Sequence, residues 1–197
     1  MTVDQFEAFC QAQRPAEAPW RPVTDYSHAA RDRVERPHAE RILTHLVTSP
    51  WTSVLDYGCG PDQHLLRNLR ALEPSPLLRL TGYDPQLADT SEAVHFLYDL
   101  VICREVLEHL TVLDLAHTVA HLCRLSRRLV YVTTRFAPFS DDLLDVATAD
   151  DLDPTHITML NQDFLRLLFV LQGLTRRRDL EQALDWQHQG RVLIYGR

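Results

Sequence analysis

The sequence predicts an α/β fold, a doubly wound and mostly parallel sheet with a helical N-terminal extension. Three observations lead to this prediction. Strand-like apolar runs alternate with segments of helical periodicity from residue 51 onward, a pattern that implies right-handed β-α-β crossovers. A glycine-bearing turn follows the first apolar run, and 197 residues suit one domain with a short extension. Ligands of such sheets bind at the carboxyl ends of the strands.

We assign residues 1–50 to the N-terminal helical extension and residues 51–197 to the main domain. Three prolines interrupt the start of the chain and leave room for a short helix over Val3 to Gln13. A longer helix is predicted over Tyr26 to Val47, because apolar residues recur there at helical spacing and Pro50 ends the pattern.

The main domain shows an ordered series of strand and helix patterns. Short apolar runs with β-branched residues predict strands at 53–57, 77–83, 98–103, 128–134 and 191–195. Helical periodicity predicts helices at 63–72, 105–125 and 162–171. The last strand is predicted to be antiparallel to a partner between Leu174 and Trp186, and residues 135–158 form a long polar segment.

The composition excludes several kinds of chemistry. All 20 basic residues are arginine, so a lysine Schiff base, a lysine general base and a P-loop lysine are ruled out. The net charge of −7 has the wrong sign for a non-specific nucleic-acid binder. The cysteines lack C-x-x-C spacing, and we see no run of 18 apolar residues and no leader-like start. We therefore expect no zinc ribbon, no disulfide framework, no membrane span and a cytoplasmic location.

A candidate nucleotide site follows the first two predicted strands. The turn that contains Gly58 and Gly60 follows the first strand and opens a helix, and glycine lets the backbone approach a ligand closely. Asp84 ends the next strand, 28 residues after Asp56. A carboxylate at that position can accept hydrogen bonds from both hydroxyls of a ribose.

This arrangement resembles the class I S-adenosylmethionine-dependent methyltransferases. The matching stretches are Val54 to Gly60, Gly82 to Asp84 and Tyr98 to Leu110. The resemblance implies S-adenosylmethionine (SAM) at the ends of the first strands, with Asp84 on the ribose and Gly58 and Gly60 beside the methionine moiety. On this basis the cofactor contacts are predicted at Asp56, Tyr57, Gly58, Cys59, Gly60, Asp84, Pro85, Arg104 and Glu105. The resemblance also implies that the N-terminal extension acts as a lid.

Two features depart from the family pattern. Asp62 stands where the family often has glycine and could instead cap the helix. Its carboxylate disfavours NAD, whose pyrophosphate lies at this helix start. Only 14 residues separate Asp84 from Asp99, too few for a full helix-strand-helix insert. We therefore predict that the third-strand region, which usually carries an adenine-contacting acidic residue, is abbreviated or lost.

A second set of residues suggests a metal site. Glu105, Glu108 and His109 have the i, i+3, i+4 spacing that places side chains on one helix face. With His156, which follows the last parallel strand, they form a plausible set for Mg²⁺, Mn²⁺ or Zn²⁺. The Glu-x-x-Glu-His segment is similar to that of small-RNA 2′-O-methyltransferases and of ubiquinone-pathway O-methyltransferases. In the alternative interpretation no metal binds, Glu105 lies near the methionine end of SAM, and His156 is a general base.

The predicted function is methyl transfer from SAM to an oxygen or nitrogen of a small molecule, with metal assistance as an open variant. His156, His109 and Glu105 are the candidate catalytic residues. Two alternatives stay open: metal-dependent 2′-O-methylation of RNA 3′ ends, and a degenerate methyltransferase fold that acts as a partner or regulatory protein. The basic run Arg176 to Arg178 is interpreted as a solvated turn, although RNA would also suit it.

Overall fold

A computed structural model of the chain describes residues 28–49, 52–136, 158, 161–185 and 190–197, with the backbone alone for 28–32. The predicted helix over Val3 to Gln13 lies outside these residues. The described α-helices are α1 (His28–His45), α2 (His64–Leu72), α3 (Val112–Leu125), α4 (Gln162–Leu171) and α5 (Arg178–Leu184). The described strands are β1 (Ser53–Tyr57), β2 (Arg79–Tyr83), β3 (Tyr98–Arg104), β4 (Ser126–Thr133), β5 (Thr175–Arg176) and β6 (Val192–Gly196).

The strands form one sheet in the order β2-β1-β3-β4-β6-β5. Strands β1, β2, β3 and β4 run parallel to one another, whereas β6 is antiparallel to both β4 and β5. The predicted fold class is therefore confirmed, and so is the antiparallel pairing of the last strand. The β2, β1, β3 and β4 strands all end at one edge of the sheet, where ligands of doubly wound folds bind.

Helices cover both faces of the sheet. On one face α3 and α4 pack against the strands, and on the other face α1, α2 and α5 do so. In α1, the side chains of Ala39, Ile42 and Leu46 are 0%, 0% and 1% exposed. This spacing of three and four residues places them on one face of the helix, so the described part of α1 is a layer of the domain core. The lid assigned to the extension stays a prediction.

The region between β2 and β3 contains no strand. A 3₁₀ helix, Ala88–His95, connects the two strands and leaves β2 at the edge of the sheet. Thr90 fixes its start, because the Thr90 hydroxyl accepts from the Asp84 N–H at 3.0 Å and lies 2.9 Å from the Asp84 carbonyl oxygen. The predicted loss of the third-strand region is confirmed.

The predicted helix over 105–125 is wrong in its first seven residues. Strand β3 runs to Arg104, and Glu105 has a left-handed backbone with φ 52°. The Glu105 N–H donates to the Thr133 carbonyl oxygen at 2.9 Å, so β4 holds this residue in an extension of the strand pairing. A single 3₁₀ turn, Leu107–His109, follows, and α3 begins at Val112. The other predicted elements agree with the structure to within two residues at either end.

Strand β5 and helix α5 occupy the stretch in which the sequence analysis placed only a partner strand. None of the described helices combines the length and the apolar composition that are needed to cross a bilayer.

Candidate active site

The turn after β1 fixes one wall of the site. Gly58 and Gly60 have φ values of +85° and +62°, a region that L side chains rarely adopt. The N–H groups of Gly58 and Cys59 both donate to the Tyr83 carbonyl oxygen, at 2.7 and 3.1 Å. A Cβ atom at Gly58 would lie 2.4 Å from Val106 Cγ2. The backbone at this position therefore approaches the β3 end so closely that only glycine fits.

Asp84 lies opposite this turn, at the end of β2. Its Oδ2 atom accepts from the Gly60 N–H at 3.1 Å and its Oδ1 atom accepts from the Gln86 N–H at 2.9 Å. These two bonds hold the carboxylate in one orientation. Since each carboxylate oxygen has two lone pairs, both oxygens can accept a further hydrogen bond from a ligand.

The start of α2 differs from the prediction for Asp62. The N-cap residue is Gln63, which has φ 47° and makes no side-chain capping bond. Asp62 instead lies 3.6 Å from His64 Nε2. The structure therefore places a carboxylate near this helix start, which disfavours a pyrophosphate at this position.

Between these walls lies a cavity of about 350 Å³, which is within the range of small-molecule sites. Its lining comes from the ends of three neighbouring parallel strands. The lining residues are Gly58, Gly60, Pro61, Asp84, Pro85, Gln86, Leu87, Glu105, Val106, His109 and Leu110.

Five of the residues that the sequence predicts as cofactor contacts line this cavity: Gly58, Gly60, Asp84, Pro85 and Glu105. The remaining apolar and amide residues of the lining were not predicted, although each is a near neighbour of a predicted contact in the sequence. Leu87 and Leu110 were missed because an apolar side chain at a strand end is not distinguished by sequence pattern from one in the core.

The other predicted cofactor contacts do not line the cavity; they are Asp56, Tyr57, Cys59 and Arg104. Asp56 is 5% exposed, and burial raises the pKa of its carboxyl group to about 7, against the opposing effect of the Arg104 guanidinium. Arg104 forms an ion pair with Glu35 of α1. Burial raises the pKa of the Cys59 thiol to about 12, so this cysteine is not a thiolate nucleophile. These four residues lie close to lining residues in the sequence but do not line the cavity themselves.

The Glu-x-x-Glu-His segment is divided between the cavity and the core. Glu105 and His109 line the cavity, whereas Glu108 is fully buried and accepts from the Thr134 hydroxyl at 2.8 Å. Burial, with the neighbouring Glu105 charge, raises the pKa of the Glu108 carboxyl group to about 8. The Glu108 carbonyl oxygen also accepts from the Thr158 N–H at 3.0 Å. Glu108 therefore behaves as a buried neutral acid near pH 7.

The predicted metal set is not assembled by the residues that the structure describes. Among them, no group of three or more His, Cys, Asp or Glu side chains is arranged to hold a metal ion. The shared helix face expected for Glu105, Glu108 and His109 is absent, because Glu105 precedes the 3₁₀ turn. His156 lies outside the described residues, so its predicted roles as ligand and as base stay predictions.

The comparisons with known proteins agree with this geometry. The sequence profile described as "Methyltransferase domain" matches residues 17–177. The chain belongs to this methyltransferase family. The predicted resemblance and the predicted enzyme class, a SAM-dependent methyltransferase, are thereby confirmed. No curated protein matches the sequence.

Solved structures share the fold at low identity. Magnesium protoporphyrin IX methyltransferase from Synechocystis PCC 6803 with bound S-adenosylhomocysteine (SAH) is 16% identical, with a TM-score of 0.53 over 99% of this chain and 95% of that chain. A SAM-dependent methyltransferase from Archaeoglobus fulgidus is 13% identical, with a TM-score of 0.57 over 98% and 99%. Human N-acetylserotonin methyltransferase with SAM is 13% identical, with a TM-score of 0.52 over 87% of this chain and 56% of that chain.

Proposed function

We propose that this chain transfers a methyl group from SAM to an oxygen or nitrogen atom of a small molecule. The observation that carries the proposal is the position of the Asp84 carboxylate, held by two backbone N–H groups across a cavity from the glycine turn. A fixed carboxylate at the end of the second strand is suited to the two hydroxyls of a ribose.

A second observation supports SAM as the ligand of this cavity. A Cβ atom at Gly58 would clash with Val106, so this turn keeps backbone close to the place where the methionine moiety would lie. Asp84 would bind the ribose, Leu87 and Leu110 would pack on the adenine, and Glu105 would accept from the ammonium group. SAM itself supplies the methyl group on a sulfonium sulfur.

The protein's own part in the reaction is positioning, exclusion of water and removal of one proton. Methyl transfer in a straight line from sulfur needs alignment of the acceptor and no covalent enzyme nucleophile. His109 lines the cavity, and an imidazole there can accept the proton of an acceptor hydroxyl or amine. Glu105, on the same wall, orients the cofactor. His156 is the second candidate base, proposed from the sequence alone.

A small-molecule acceptor is favoured over RNA. The two neighbours from Synechocystis and human are named for magnesium protoporphyrin IX and N-acetylserotonin, which are both small molecules. In the basic run, Arg176 and Arg177 form ion pairs with Glu181 and Asp179. The net charge of −7 also opposes a polyanion.

Calorimetric titration of SAM and SAH into the full chain tests the proposal, with Asp84→Ala as the variant. We expect micromolar SAH binding by the wild type. Loss of hydrogen bonds to a charged group costs about 1.5–3 kcal/mol, which is a decrease in affinity of about 10- to 100-fold in Asp84→Ala.

Asp89→Ala is the matched control, because Asp89 is an exposed aspartate five residues further along the chain. It should bind SAH like the wild type. No binding by the wild type at millimolar SAM would refute the proposal and favour the degenerate partner protein. Parallel titrations with EDTA and with Mn²⁺ test the predicted cation. If SAH affinity and methyltransferase activity are the same in both, the prediction of a bound cation is refuted.

A further inference from the structure

A second cavity, of about 410 Å³, lies next to β5 and β6, the two strands farthest from β2 in the sheet order. Arginines from three different elements line it: Arg166 from α4, Arg176 from β5 and Arg178 from α5. Gln162, Glu181 and Asp185 are also in its wall. We call this the arginine cavity. It contains three guanidinium groups and two carboxylates, so it is a basic site in a chain whose net charge is −7.

The carboxylates leave much of the donor capacity of these arginines unused. Arg176 donates from Nε and Nη2 to Glu181, which also accepts from the Ile194 N–H at 3.2 Å. A guanidinium has five N–H donors, so Arg176 keeps its Nη1 donors for a ligand. Arg178 is exposed and forms no ion pair with the other residues that the structure describes.

Two buried polar atoms in the wall have no partner. Arg166 donates from Nη1 to Asp163 at 2.7 Å, but its Nε atom is buried and makes no hydrogen bond. Asp185 accepts from the Gly190 N–H at 2.6 Å through Oδ2, while its Oδ1 atom is buried without a partner. A buried unsatisfied group costs about 1–3 kcal/mol.

One end of the arginine cavity lies near the candidate active site. Val192, which lines it, pairs with Thr133 at the carboxyl end of β4, and Thr133 pairs with Arg104 at the end of β3. Neighbouring strands are about 4.8 Å apart, so two strand spacings, about 10 Å, separate the Val192 backbone from the end of β3.

We propose that the arginine cavity binds an oxyanion of the acceptor substrate, a phosphate or carboxylate group. This inference rests on the proposed methyltransferase function and narrows its substrate class to anionic small molecules. A guanidinium binds either oxyanion through paired N–H donors, so the two sources share one recognition chemistry.

The test is calorimetric titration of the full chain with inorganic phosphate in one arm and with succinate in the other. We expect saturable binding in at least one arm, and the stronger arm identifies the oxyanion. Arg178→Ala should weaken that binding about tenfold, since each charge-assisted hydrogen bond contributes about 1.5–3 kcal/mol. Arg166→Gln, which removes a guanidinium group from the wall, should weaken it similarly.

Arg177→Ala is the matched control. Arg177 adjoins both cavity arginines in the sequence, but it does not line the cavity and forms an ion pair with Asp179. The affinity of the Arg177→Ala protein for the anion should differ less than twofold from that of the wild type. No saturable binding in either arm, or an equal loss in Arg177→Ala and Arg178→Ala, would overturn the proposal.

Titration of SAH into the phosphate- or succinate-saturated protein separates this proposal from the proposed function. We expect both ligands to bind together, and SAH affinity to be unchanged in Arg178→Ala. Displacement of the anion by SAH would place it in the cofactor cavity and overturn the inference. Failure of SAH to bind, with anion binding intact, would instead refute the methyltransferase function and leave an anion site of another purpose.

Discussion

Substitution of Gly58 by alanine tests the geometry of the glycine turn. The added Cβ would lie 2.4 Å from Val106 Cγ2, and the residue would have to keep a φ of +85°. A left-handed backbone costs an L residue about 1–2 kcal/mol, and overpacking costs about 1–3 kcal/mol. Gly58→Ala should therefore lower the free energy of unfolding by about 2–5 kcal/mol.

Gly60→Ala is the matched control. Gly60 also has a positive φ, +62°, but a Cβ there would meet no heavy atom within 4 Å. Only the backbone cost of about 1–2 kcal/mol should remain, so the difference between the two variants measures the overlap with Val106. Urea unfolding at constant m-value gives both free energies.

The double variant Gly58→Ala with Val106→Ala completes a thermodynamic cycle. Removal of Val106 Cγ2 relieves the overlap, so the double variant should be less destabilised than the sum of the single variants by about 1–3 kcal/mol. Equal destabilisation of Gly58→Ala and Gly60→Ala, together with strict additivity in the cycle, would show that Val106 does not touch this turn.

Two further predictions concern buried carboxyl groups. Glu108→Gln keeps a neutral hydrogen-bonding side chain next to Thr134, so its stability in urea and its SAH affinity at pH 7 should stay near those of the wild type. Glu108→Ala should lower the free energy of unfolding by about 2–4 kcal/mol. Loss of a divalent-cation requirement in Glu108→Gln would instead support the metal set. Burial raises the Asp56 pKa to about 7, so the folded state retains a proton that the unfolded state releases. The stability of the wild type relative to Asp56→Asn should therefore be highest below about pH 4 and should decline up to about pH 7. If the difference between the urea midpoints of the two proteins stays constant across this range, the assigned pKa is contradicted.

The parts of the fold that the sequence predicted depend on residues close together in the chain. The apolar run of β1 ends at the glycine turn, and the bounds predicted for this strand, 53–57, are those of the structure. The loss of the third-strand region followed from the 14 residues between Asp84 and Asp99. Both arguments use only local pattern and chain length.

Distant contacts decided the residues that were placed wrongly. Helical spacing put Glu105 on one face with Glu108, but the Thr133 carbonyl oxygen, 28 residues away, holds the Glu105 N–H in the strand pairing. The side chain of Arg104, a predicted cofactor contact, has its charge paired with Glu35, 69 residues earlier, and does not line the cavity. Its contact with the cofactor stays a prediction. The sequence at the end of a strand does not indicate which distant residue a side chain there will contact.

The basic run shows how local and distant effects combine. Arg176 lies in β5 and Arg178 is the first residue of α5, and both line the arginine cavity, whereas Arg177 forms an ion pair with Asp179. The exposure of Arg178 agrees with the interpretation of the run as a solvated turn, whereas Arg176 pairs with the buried Glu181. The third cavity arginine, Arg166, comes from α4, ten residues before Arg176. The sequence groups Arg176, Arg177 and Arg178 because they are adjacent in the chain, whereas the fold groups Arg166, Arg176 and Arg178 around one cavity.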